Sequence, residues 1–176
     1  MSAQTTMVER MIGAAKLDVA TYEEVEHDES ATGQAAGVVA MVAVAQAIAQ
    51  AGGGFGLALM GVLSAFVGWG LWAGVTYLIG DKILGGTATW GELLRTLGFA
   101  QAPGLLVVLA VLPLGGVIRF AVGIWVLVAG FIGLRQALDL GNVKTLITAV
   151  LGWLAFVLVI AVPLAILGGL GAALGS

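Results

Sequence analysis

Residues 30–80 contain not one charged side chain, and three further charge-free runs follow at 96–118, 120–134 and 145–176. Water cannot solvate such runs, and only 10% of the chain is charged where a soluble domain carries about 25%. With 60% apolar residues, hydrocarbon is the solvent for most of this polypeptide. A membrane-crossing helix needs about 20 apolar residues. The first run is too long for one crossing and suits two, broken at the Gln50-Ala-Gly-Gly-Gly-Phe-Gly56 stretch, where clustered glycines permit a tight turn. The reading is an all-α, polytopic membrane bundle of five transmembrane helices, at about 34–51, 55–80, 97–114, 116–136 and 145–167. These form a transmembrane domain over 31–176, preceded by an acidic N-terminal tail over 1–30.

The third span carries Pro103 and Pro113, and proline removes a backbone donor and bends or ends a helix. Ahead of it, Thr89-Trp-Gly-Glu92 has the form of a capping box, which starts a helix near Trp90. The residues leave open whether one bent helix or two separate segments follow.

The tail holds Glu9, Asp18, Glu23, Glu24, Glu26, Asp28 and Glu29 against Arg10 and Lys16, a net charge of −5. Val8, Met11, Ile12, Ala15 and Val19 recur at helical spacing. Thr21-Tyr-Glu-Glu24 is a second capping-box pattern. Two short helices are expected, at about 5–17 and 22–29. They either present a docking surface or lie on the headgroups, or, the favoured reading, pack against the loops on their own side. His27 is the single histidine. With no second imidazole and no cysteine it gives no recognised metal motif, so no metal and no cofactor is expected.

With five spans, one side receives Arg10, Lys16, Lys82, Arg95, Arg135 and Lys144, and the other only Arg119. Positive charge stays on the cytoplasmic side, so the N-terminus is expected in the cytoplasm and the C-terminus outside, in a cell membrane of bacterial inner-membrane type. No cleavable signal peptide is expected, since the N-terminal region is acidic.

Several side chains stand out as candidates. Arg119 lies just inside the fourth span and is expected to reach a headgroup or the glutamines Gln46 and Gln50 of the first. Trp90 fits the interfacial aromatic belt. Gly61, Gly68, Gly70 and Gly74 form a small-residue stripe, and Gly52/Gly56 and Gly171/Gly175 repeat the four-residue spacing that lets helices approach. The stripe serves packing within the bundle or, less readily, self-association. No Asp, Glu, Lys or His falls at a span midpoint, and no nucleophile–base set, zinc motif or phosphate loop occurs. These absences argue against an intramembrane enzyme and an ion-coupled carrier. An acidic chain also has no basic surface for nucleic acid.

Three stretches carry a family resemblance: Thr21-Tyr-Glu-Glu-Val-Glu-His-Asp28 leading into Ala31-Thr-Gly-Gln-Ala35; Leu94-Arg-Thr-Leu-Gly-Phe-Ala-Gln-Ala-Pro103; and Gly123-Ile-Trp125 followed by Gly133-Leu-Arg-Gln-Ala-Leu-Asp139. Together they resemble the Yip-one family of Ypt/Rab-interacting membrane proteins in its compact prokaryotic form. The resemblance implies five membrane helices, a cytoplasmic N-terminus and a non-enzymatic role. The sequence departs from the trafficking members in lacking a long hydrophilic N-terminal region and a Tyr-Gly-Pro element, so small-GTPase binding is not carried over. Arg135 and Asp139 stand four apart at the exit of the fourth span. A cytoplasmic polar cluster of Glu92, Arg95, Arg135 and Asp139 is therefore expected. The expected role is that of a membrane scaffold, in contact with lipids and with a protein partner or a second copy. The alternative is a small carrier, channel or lipid-handling protein, suggested by the proline-interrupted third span.

Overall fold

The structure is a computed structural model that describes residues 5–50 and 54–174, with side chains described as far as Val159. Gly52 and Gly175 lie outside the described residues. Among the described residues all regular structure is helical. Helices α1 (Met7–Ala15) and α2 (Val19–His27) form a hairpin ahead of α3 (Ala31–Ala49) and α4 (Gly54–Tyr77). Helix α4 runs on as a wider π-helical segment, Leu78–Ile83. Helix α5 (Trp90–Phe99) is followed by a 3-10 segment, Ala102–Val111, and then by α6 (Gly115–Leu138) and α7 (Asn142–Leu174). Five passages are long and apolar enough to cross a membrane: Ala31–Ala49, Gly54–Ile83, Trp90–Val111, Gly115–Leu138 and Asn142–Val159.

The third passage combines both alternatives left open by its prolines. The capping box starts α5, with the Thr89 hydroxyl accepting from the Glu92 N–H at 3.2 Å and the Glu92 carboxylate accepting from the Thr89 N–H at 2.7 Å. Pro103 then sits in the first turn of the 3-10 segment, where a missing N–H costs least. The chain continues in the same passage rather than leaving it.

Small residues let the third passage approach α3 closely. A Cβ added at Gly98 would stand 2.7 Å from the Ala35 Cβ, and one at Gly104 would stand 2.9 Å from a Val42 methyl. These two glycines bring the third passage against α3. On the other flank, a Cβ added at Gly133 of α6 would stand 3.1 Å from the Tyr22 ring. The stripe on α4 is used differently. At Gly61 and Gly70 an added Cβ would meet nothing within 4 Å among the described residues, and Gly68 and Gly74 approach only Phe156 and Trp90, at 3.9 Å.

Threonine hydroxyls within the passages are satisfied locally. The hydroxyls of Thr76, Thr96 and Thr148 donate to the carbonyls of Trp72, Glu92 and Lys144, four residues back in each case. They need no partner on another helix.

The tail is a folded element, not a free strand. Helix α1 begins on a capping box formed by Thr6 and Glu9. Helix α2 begins at Val19, capped by Asp18 rather than by Thr21, whose hydroxyl instead donates to Asp18 at 2.9 Å. Starting a turn earlier puts Tyr22 on the inner face, where its hydroxyl donates to the Ala14 carbonyl at 3.1 Å and its ring is fully buried. Tyr22→Phe is expected to lower stability by about 1 kcal/mol, the usual net value of one buried hydrogen bond. Thermal unfolding in detergent checks it, and an unchanged midpoint would mean the bond contributes nothing.

Candidate functional site

The N-terminal hairpin is held on the bundle by two buried arginines. Arg10 of α1 is 4% exposed. Its guanidinium pairs with Glu24 at 2.9 Å and Asp28 at 2.6 Å, and donates to the Gln34 side chain of α3 at 3.0 Å. Arginine suits this position because its planar fork serves several acceptors at once while remaining charged. The Ser30 hydroxyl, and then Arg10, hold the Asp28 carboxyl below the usual carboxylate range.

Arg95 of α5 is 6% exposed and reaches the other end of the hairpin. Its Nε donates to the carbonyls of Val25 and Glu26, both at 3.0 Å, and one terminal nitrogen donates again to the Glu26 carbonyl. Those carbonyls belong to the last turn of α2, where helical acceptors lack intrahelical partners and the dipole favours a cation. Arg119 repeats the device at the opposite end of the bundle, where its guanidinium donates to the Ala49 carbonyl at the end of α3 at 2.6 Å. The glutamine Gln46 lines a cavity beside it, together with Gln101 and Gly104.

Around the end of α2 the structure gathers a carboxylate-rich corner. Glu26 is 7% exposed, and its Oε2 is buried with no hydrogen-bond partner. Burial pushes its carboxyl up to about 7; His27 opposes that shift, while Glu23, Asp139 and Glu92 add to it. The ligand atoms of Glu23, Glu26 and His27 lie within 4.8 Å of one another.

The four residues of the expected polar cluster occupy this same end but engage separate partners. Glu92 caps α5, and Asp139, in left-handed conformation at the end of α6, accepts from the Thr87 hydroxyl at 2.7 Å. Arg95 turns to the α2 carbonyls, and Arg135 is exposed. Among the described residues no ion pair joins them. Trp90 is half exposed and lines a cleft with Gly70, Gly74 and Tyr77. Arg10 and Glu26 are the residues that the sequence pattern did not single out. Arg10 is one of two bases in the acidic tail, and nothing in the sequence tells Glu26 from its solvated neighbours.

A separate apolar cavity of about 600 Å³ lies between α4, α5, α6 and α7. Trp69, Trp72 and Phe156 form part of its wall, with Gln101 as a polar contribution. Leu127, Val150 and Trp153 on its rim are exposed, so it opens onto the outer surface of the bundle.

Five apolar passages with a short hairpin clamped across one flank define a helical, polytopic integral membrane protein. The Yip1 domain family model matches residues 22–168, and the chain belongs to that family. Comparison with curated proteins and with solved structures finds no match.

Proposed function

We propose that this Yip1-domain protein is a non-enzymatic membrane scaffold that presents its N-terminal hairpin to a protein partner on the cytoplasmic side. The observation that carries this reading is the double clamp of Arg10 and Arg95. A segment fixed by two buried arginines is a preformed surface, and preformed surfaces bind without the ordering cost of a floppy tail. The outer residues Glu23, Glu29 and His27 are exposed and suit a basic partner, while exposed Val8, Ile12 and Val19 suit the headgroup boundary. The absence of catalytic constellations in the sequence and the local satisfaction of intramembrane hydroxyls support a role without chemistry.

Photocrosslinking residues placed at the exposed positions Lys16 and Glu29 test the proposal in native membranes. A discrete adduct, diminished by Arg95→Ala, is the expected result; recovery of the lone monomer alone would count against it. The chain has no cysteine, so Glu29→Cys also reports orientation. A membrane-impermeant thiol reagent should label it only once the membrane is opened.

The 600 Å³ apolar cavity favours a second reading, a lipid-handling protein that holds one tail between α6 and α7. Mass spectrometry of the protein released from gentle detergent should then show a retained lipid, and Gly130→Trp in the cavity wall should displace it.

A further inference from the structure

We propose that Glu23, Glu26 and His27 of α2 form a binding site for a divalent transition-metal ion of the zinc class, at the corner where α2 meets the start of α5 and the end of α6. Three observations converge there. The first is spacing: residues three and four apart on a helix share a face, so Glu23 presents its carboxylate beside both Glu26 and His27, and their ligand atoms lie within 4.8 Å of one another. Donors around a zinc ion at about 2.1 Å stand about 3.4 Å apart, a gap that small side-chain rotations close.

The second is the orphan. A buried carboxylate oxygen without a donor is rare and costly, and Glu26 Oε2 is one. The Arg95 guanidinium, which packs against the same turn, donates to the main-chain carbonyls of Val25 and Glu26 instead. A bound cation would compete with a proton for this oxygen, and would satisfy it while offsetting the surrounding charge of Glu23, Glu92 and Asp139.

The third is the tautomer of His27. Its Nδ1 lies 2.8 Å from the Glu23 carbonyl. A carbonyl oxygen only accepts, so Nδ1 carries the hydrogen and, in the neutral ring, Nε2 keeps its lone pair. A backbone carbonyl on the far nitrogen is the arrangement that orients metal-ligating imidazoles. Two carboxylates and one imidazole leave a fourth, solvent-facing position for water. The mixed nitrogen and oxygen donors favour zinc-class ions over calcium or magnesium, which take oxygen alone. Bound there, the ion would stiffen the last turn of α2 beside Glu92 and Asp139, and so tighten the seat of the hairpin.

The test uses the full-length, tag-free protein in detergent, titrated calorimetrically with Zn2+ and followed by Co2+ absorption. One saturable equivalent is expected, together with slower proteolysis of the hairpin when Zn2+ is present. Because His27 is exposed, His27→Ala should leave metal-free thermal unfolding unchanged while weakening Zn2+ binding at least about tenfold. Glu26→Gln should do the same to binding, and Glu29→Gln should not. No saturable binding up to about 1 mM, or equal binding by wild type and His27→Ala, overturns the site. Either result leaves the scaffold reading standing, since that is read by crosslinking at other residues.

Discussion

Arg95→Ala is expected to loosen the N-terminal hairpin by about 3 kcal/mol, which makes it one of the two most damaging single changes available. Hydrogen bonds from a charged donor are worth about 1.5–3 kcal/mol each, and removing the donor leaves buried acceptors unmatched. Arg95 supplies the carbonyls of Val25 and Glu26 and also approaches the Thr32 hydroxyl at 3.5 Å. The loss falls on docking, not on the spans, so the expected signature is local. Hydrogen exchange of α2 amides should accelerate about 100-fold, while α6 amides change little. Arg95→Lys should fall between, because an ammonium is a point charge without the fork that serves two carbonyls. Unaltered exchange at Val25–His27 in Arg95→Ala would show that the guanidinium does not hold the hairpin.

Gly98→Leu is expected to be strongly damaging at the contact between the third passage and α3. Even a methyl group here would stand 2.7 Å from the Ala35 Cβ and 3.3 Å from the Ala35 Cα, so the backbone of α3 must retreat. Ala35 is fully buried in the cluster that also holds Tyr22, Val25 and Phe99, and the displacement therefore reaches the hairpin. Overpacking costs about 1–3 kcal/mol per insertion, and a branched four-carbon side chain belongs at or beyond the top of that range. Gly70→Ala is the matched control. Nothing lies within 4 Å of its added methyl, and alanine is the better helix former by about 1 kcal/mol. Thermal stability in detergent should fall steeply for the first and hold or rise for the second. Equal midpoints would sink the close-contact account of Gly98.

What was legible beforehand followed from solvation. Charge-free runs identify membrane passages whatever the neighbours do, and the family stretches quoted, from Tyr22 on to Asp139, fall inside the matched region. The Thr89–Glu92 capping box was also legible, since its signal is local to four residues. The same signal misled at Thr21, where Asp18 three residues earlier competes for the start of α2. Thr6-Met-Val-Glu9 carries the pattern too and does cap α1. Partner choice was not legible. Arg95 was marked by its place at the head of a span, but its acceptors are main-chain carbonyls 69 and 70 residues away, and every residue type carries a carbonyl. Side-chain charge pairing, the only partner visible in a sequence, pointed to Glu92 and Asp139 instead. Arg119 shows the same substitution, with Ala49 taking the place of the glutamines.

The stretch Ala102–Val111 also bears on how the chain fits its surroundings. Ten residues wound at about 2.0 Å per step reach about 5 Å further than the same ten at about 1.5 Å. The passage Trp90–Val111 is two residues shorter than α6, and its winding carries it about as far. How far a passage reaches is thus set by helix pitch as well as by residue count.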